Sequence, residues 1–164
     1  MKRLILLRHG KSDWDAEYSS DHERPLNRRG TEAAATMGRV LAAIGEDPDA
    51  VITSSAVRAR TTAALAVGGA GWAVTPEPLE SLYGASAGEV VDVIRGRPDA
   101  TNRLLVVGHE PTWSNLTALL TGASVRVATA TAVGINLDSW EGAGPDSGSL
   151  VYVLPPRLVA KLLG

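Results

Sequence analysis

The stretch Leu4-Ile5-Leu6-Leu7-Arg8-His9-Gly10 decides the fold, because four apolar residues in a row without alternation end abruptly on a cation, an imidazole and a glycine. A run of that kind is expected of a strand buried on both faces of a parallel sheet. The run Leu104 to Val107 repeats the pattern and ends on Gly108-His109-Glu110-Pro111. Ligands of open α/β sheets bind outside the carboxyl ends of the strands. The two segments therefore bring His9 and His109 toward one pocket, although a histidine in such a place can also do no more than hydrogen-bond a loop.

Between these strands the signals alternate. Residues 11 to 29 are polar and aperiodic and read as a long loop over the first strand's carboxyl end, a common place for function. Ala33, Met37, Val40, Leu41 and Ile44 recur at helical spacing after Gly30, until Gly45 and Pro48 stop the helix. Ala50 to Thr53 predicts a second strand, with Ser54-Ser55 capping a helix from Val57 to Val67 that Gly68-Gly69 closes. Trp72 to Thr75 predicts a third strand, Pro76 to Tyr83 a loop, and Ala87 to Arg97 a helix with Val90, Val91 and Ile94 inward. A helix from about Thr112 to Leu120, strands at Val133 to Leu137 and Leu150 to Leu154, and a short helix after Pro155-Pro156 complete the order. Alternating strands and helices define an α/β, three-layer sandwich with a mainly parallel central sheet. At 164 residues, with no repeat or linker, the chain is expected to form a single domain over 1–164. Trp113 and Trp140 are expected to fill its core.

Composition narrows the chemistry. Cysteine is absent, which removes disulfides, thiolate nucleophiles and cysteine-ligated metals. Sixteen Lys and Arg against eighteen Asp and Glu give a formal charge of −2, so there is no overall basic field for nucleic acid or an anionic membrane. The apolar run after Met1-Lys2-Arg3 is shorter than the roughly 7 to 15 residues of a signal sequence or the roughly 20 of a membrane span, and a cytoplasmic location is the expectation.

Arg8 beside His9 suits phosphate rather than a metal ion, since a guanidinium repels cations but grips phosphate with a planar fork of donors. Gly10 is expected to let the backbone turn and bring N–H groups to an anion. Arg58 and Arg60 follow the second strand, at the start of a helix whose free N–H groups favour an anion. Two residues apart they diverge by about 200°, so one alone faces the pocket.

Arg8-His9-Gly10, the segment Ser54-Ser55-Ala56-Val57-Arg58-Ala59-Arg60-Thr61-Thr62-Ala63 and Val107-Gly108-His109-Glu110-Pro111 together resemble the histidine phosphatase superfamily, also called phosphoglycerate mutase-like or branch 1. The resemblance spans nearly the whole chain. It implies a phosphohydrolase without metal or cofactor, in which His9 is the nucleophile and Arg8, Arg58 and His109 complete the phosphate pocket. Within the superfamily the chain is similar to the SixA type of phosphohistidine phosphatase. The features are the short length, Asp21-His22-Glu23-Arg24-Pro25-Leu26, Asp15 where mutases carry Asn, and Thr129-Ala130-Thr131-Ala132. The implied substrate is a phosphohistidine protein or, alternatively, a small phosphate ester; a mutase or a non-catalytic phosphate-binding module are the remaining readings. Asp15 is expected to orient an arginine. Arg24 is expected either to reach substrate or to pin the loop through Asp15 or Asp21, and His22 to be solvated. Glu80, in Leu79-Glu80-Ser81-Leu82-Tyr83-Gly84, matches the general acid of mutase-like members, with Glu77 and Glu110 as competitors; the similarity to the SixA type implies the alternative, an enzyme without a well-placed acid, since the N–P bond of phosphohistidine is already labile. Lys11 gains no role.

Overall fold

The computed structural model describes residues 1–163. Its first strand, β1 (Lys2–Arg8), lies in the middle of a six-stranded sheet because every one of Leu4 to Leu7 is buried and needs cover on both faces. The other strands are β2 (Ala50–Ser54), β3 (Glu77–Leu79), β4 (Arg103–Gly108), β5 (Ala132–Leu137) and β6 (Gly148–Leu154), in the spatial order β3-β2-β4-β1-β5-β6. Strands β3, β2, β4 and β1 run parallel, β5 is antiparallel to β1, and β6 is antiparallel to β5.

The continuous apolar runs feed two cores at once. Leu4 and Leu6, with Leu104 and Val106 of β4, pack under helices α3 (Ala87–Arg95) and α4 (Thr112–Thr121) through Val90, Ile94, Trp113 and Leu116. Ile5 and Leu7, with Leu105 and Val107, face the opposite layer of α1 (Arg28–Ala43), α2 (Val57–Ala70) and α5 (Pro156–Leu163). Successive strand residues point to opposite faces, so one uninterrupted run serves both layers. Trp113 and Trp140 are both buried in the first core, as the sequence reading has it. On the other face α1 and α2 pack with no room for a side chain between them: a Cβ on Gly38 would lie 2.0 Å from the carbonyl oxygen of Ala66, and one on Gly69 2.4 Å from that of Ala35.

Local chemistry sets the ends of the elements. Asn27 caps α1 by accepting from the Gly30 N–H at 2.8 Å, so the helix begins two residues before Gly30. Ser86 and Glu89 form a reciprocal capping box at α3. Helix α2 runs through Gly68-Gly69 and ends at Gly71, which adopts the left-handed conformation. Three expectations need correction. The third strand is Glu77–Leu79, not Trp72 to Thr75. Trp72 and Val74 of the latter pack half-buried against the second core, but the segment has no ladder partner, whereas Glu77–Leu79 pairs with Ile52 to Ser54 at the sheet edge, where Pro78 is tolerated. Neither Ser54 nor Ser55 is the cap of α2; Ala56 holds that position, and Ser54 Oγ accepts only from the Ala56 N–H at 3.3 Å. Helix α3 ends at Arg95, two residues short of Arg97. Among the described residues no helix is long and apolar enough to cross a membrane.

Candidate active site

Strands β1 and β4 are adjacent and in register, with Arg8 opposite Gly108, so the residues that follow them emerge side by side. The His9 N–H extends the ladder by donating to the Gly108 carbonyl at 3.0 Å. The imidazoles of His9 and His109 consequently face each other with ring centroids 5.2 Å apart. They border a cavity of about 730 Å³ also lined by Arg8, Arg24, Arg58 and Asp21.

His9 is buried, and its Nδ1 lies 2.7 Å from the carbonyl oxygen of Gly10. A carbonyl accepts only, so Nδ1 carries the proton and Nε2 keeps its lone pair. Burial, then the neighbouring His109, Arg58 and Arg8, push its pKa down to about 3, which keeps the ring neutral at physiological pH. His109 is held the same way: burial and then Arg58 lower it to about 4. Its Nε2 sits 2.7 Å from Ser54 Oγ. That hydroxyl accepts from the Ala56 N–H and still has its own proton to give to Nε2, the tautomer in which the His109 Nδ1–H is free to donate.

Arg58 is the second residue of α2, buried, and aims back into the cavity, whereas Arg60 is exposed, in keeping with their angular separation on the helix. Its guanidinium donates to the Asp21 backbone oxygen at 2.7 Å and to Asp21 Oδ2 at 3.0 Å. Arg24, also buried, donates to Asp21 Oδ1 at 3.0 Å and stacks 3.7 Å over the ring of Trp14. Tyr83 donates its hydroxyl to Asp21 Oδ2 at 2.7 Å. The Tyr83 hydrogen bond, followed by those of Arg24 and Arg58, holds the Asp21 carboxyl well below the usual carboxylate range. Arg8 donates to the Val127 carbonyl at 3.0 Å. The Nε atoms of Arg8, Arg24 and Arg58 are buried and have no hydrogen-bond partner among the described residues, as is also the case for Arg97 away from the cavity.

The structure thus brings Arg8, His9, Arg58, His109 and Arg24 to one cavity. Gly10 has a different part from the one expected: its N–H donates to Thr62 Oγ1 at 3.0 Å and is not offered to an anion. Glycine is required there because a Cβ would lie 2.6 Å from the Gly30 carbonyl oxygen, where the loop crosses the start of α1. Glu80 is exposed on a single 3-10 turn (Glu80–Leu82) and does not line the cavity; Leu82, Tyr83 and Gly84 after it do. Of its competitors, Glu77 is exposed and 3.6 Å from Arg97. Glu110 lines the cavity, but its two oxygens are held by the Ser114 N–H at 2.7 Å and hydroxyl at 2.5 Å.

The loop partners also differ from the sequence reading. Asp15 is exposed, receives no arginine, and lies beside Asp13, whose carboxylate accepts the Asp15 N–H; Asp21 does the orienting. His22 is not simply solvated, since its Nε2 is 2.9 Å from Ser55 Oγ and its ring meets the edge of Tyr83 at 4.9 Å. The sequence assigns Tyr83 and Ser54 no part in the site, since a tyrosine in a loop and a serine at a strand end carry no pattern of their own.

An α/β sandwich whose parallel strands deliver two neutral histidines and three arginines to one cavity defines a protein of oxyanion chemistry. Residues 4–94 match the histidine phosphatase superfamily (branch 1), and the chain belongs to that family. An uncharacterised chloroplastic protein of Arabidopsis thaliana is 31% identical over 94% of this chain and 78% of its own length. An uncharacterised protein of Mycobacterium tuberculosis is 41% identical over 72% of each. Among solved structures, that of the protein histidine phosphatase SixA complexed with tungstate superposes with a TM-score of 0.84 at 22% identity, covering 96% of this chain and 99% of that one.

Proposed function

We propose that this protein is a metal-independent phosphohydrolase that works through a phosphohistidine on His9, with a phosphohistidine side chain of a protein as its substrate. The observation that carries the reading is a neutral imidazole with a free Nε2 lone pair in one cavity with three arginines. Guanidinium groups around one cavity suit a tetrahedral oxyanion, and tungstate in the SixA structure is an oxyanion of that shape.

In the first step Nε2 of His9 attacks phosphorus in line, the bond from phosphorus to the leaving atom breaks, and its electron pair goes to that atom. Arg8, Arg58 and the His109 Nδ1–H stabilise charge on the equatorial oxygens. Water then attacks the phosphoryl group on His9, the N–P bond breaks, and its electron pair returns to Nε2 as phosphate departs.

The leaving group must be protonated, and the cavity offers no free carboxylic acid. Asp21 is held as carboxylate by three donors, and Glu110 is committed to Ser114. A phosphorylated imidazole needs none, since its second ring nitrogen takes a proton from solvent beforehand and it departs as neutral imidazole. Alkyl phosphates have no such recourse. The expected order of rates is phosphohistidine, then aryl phosphate, then alkyl phosphate. Alkaline-quenched incubation with a labelled aryl phosphate is expected to trap label on His9, and His9→Ala to lose both label and turnover. Full activity in that variant, or alkyl esters as the fastest substrates, overturns the reading.

A further inference from the structure

Beside the catalytic cavity lies a second groove of about 370 Å³ that shares Lys11 and Thr129 with it and continues along the surface between α1 and α5. Three cations line it, Lys11, Arg29 and Arg157, and no carboxylate does. Among the described residues none of the three has an ion-pair partner, whereas the adjacent Arg28 is paired with Glu32 at 3.1 Å. Arg29 and Arg157 also stand in the first turns of α1 and α5, neither of which carries an acidic residue. A cation at a helix N-terminus opposes the dipole. Three like charges and two positive helix ends therefore converge on one concavity in a chain whose formal charge is −2.

We infer that this groove seats acidic side chains next to the phosphorylated residue of a protein substrate. The inference rests on the phosphohydrolase reading for its substrate, but the groove is outside the reaction centre. The lining favours a peptide: its side chains include the small Ala128 and Ala130 flanking Thr129, and it has no aromatic ring on which a nucleotide base could stack. The groove and the catalytic cavity share Lys11 and Thr129, so a chain whose phosphorylated side chain reaches His9 has the groove beside it for its flanking residues.

The test compares two phosphohistidine peptides identical except for an acidic or a neutral flank, with para-nitrophenyl phosphate as a substrate too small to reach the groove. The protein is expected to prefer the acidic peptide by about tenfold in kcat/KM, mainly through KM, and the preference is expected to fade by about 0.5 M salt, as exposed charges are screened. In an Arg29→Gln, Arg157→Gln double variant the preference falls to about twofold or less, while hydrolysis of para-nitrophenyl phosphate stays as in the parent and so reports an intact fold and site. Equal rates on the two peptides in the parent protein, or an undiminished preference in the double variant, overturns the proposal. Weaker inhibition by inorganic tripolyphosphate in the double variant with peptide preference unchanged also overturns it, by assigning the groove to a second phosphate. If no substrate turns over, the phosphohydrolase reading fails instead, and fluorescence anisotropy of the two peptides on His9→Ala still decides whether the groove selects acidic flanks.

Discussion

Lowering the pH from 7 to 5 in the absence of phosphate is expected to destabilise the fold chiefly through two buried imidazoles. His9 and His109 have pKa values pushed down to about 3 and about 4, against an ordinary value near 6.5 that applies once the chain unfolds. As the pH falls through about 6.5 the unfolded chain takes up a proton on each ring, while the folded chain stays neutral there until the pH approaches 4 and then 3. The unfolded state therefore binds more protons throughout that window, and the free energy of unfolding falls with falling pH. Between pH 7 and pH 5 the loss is roughly 2 kcal/mol per imidazole, about 4 kcal/mol together, which is a large part of the 5 to 15 kcal/mol that holds a typical domain together. Urea denaturation at pH 7, 6 and 5 measures it directly, with a His9→Asn, His109→Asn double variant as the comparison. That variant is expected to lose no more than about 1 kcal/mol over the same range. An equal slope in both proteins, or a flat profile in the parent, refutes the assignment of neutral histidines. Saturating inorganic phosphate is expected both to stabilise the parent and to flatten its profile, because an anion beside the rings favours their protonated forms.

Asp21→Asn removes a negative charge that touches Arg24 and Arg58 at 3.0 Å each, so competitive inhibition by inorganic phosphate is expected to tighten several-fold while kcat falls; weaker inhibition contradicts a carboxylate that competes with the anion. Ser54→Ala deprives His109 Nε2 of its 2.7 Å partner, and kcat on an aryl phosphate is expected to drop by roughly tenfold or more, with the change in the His109 ring read by nitrogen NMR. Gly38→Ala forces a methyl group to within 2.0 Å of the Ala66 carbonyl and is expected to cost about 3 kcal/mol or more in urea denaturation, because backbone stands on both sides of that contact.

The parts of this fold that were legible are those in which a residue's neighbours in space follow from its neighbours in sequence. Leu4 to Leu7 and Leu104 to Val107 announce central strands because burial on both faces leaves no polar position, and the histidines after them are placed by strand register alone. The choice between Asp15 and Asp21 as the partner of the arginines depends on where a three-residue 3-10 turn, Asp21–Glu23, falls within a loop, and no periodicity marks that. Gly10 shows a subtler failure. A glycine after a strand suggests an anion-binding turn, but a close approach by a distant segment produces the same residue, and here Gly30 is that segment. The strand expected over Trp72 to Thr75 fails for another reason: Trp72 and Val74 do pack half-buried against the second core, but a strand also needs a ladder partner.

Asp21 links the electrostatics of the site to its chemistry. Arg8, Arg24 and Arg58 place three guanidinium groups around one cavity, and two carboxylates, Asp21 and Glu110, line it with them. With Lys11, which also lines the cavity, four positive against two negative charges leave two in excess, with both histidines neutral. Protonated rings in that setting would add repulsion to the desolvation they already suffer, so burial first and the arginines after it keep both rings neutral. A phosphate dianion cancels that excess and favours protonated rings; the proton that His109 then gains sits on Nε2 against Ser54 Oγ, and the positive charge of the ring strengthens its Nδ1–H as a donor to the equatorial oxygens. The carboxylate that makes this balance possible is thereby lost as an acid. Tyr83, Arg24 and Arg58 stabilise its ionised form, so on the proposed mechanism the favoured substrates are those whose leaving groups bring their own proton.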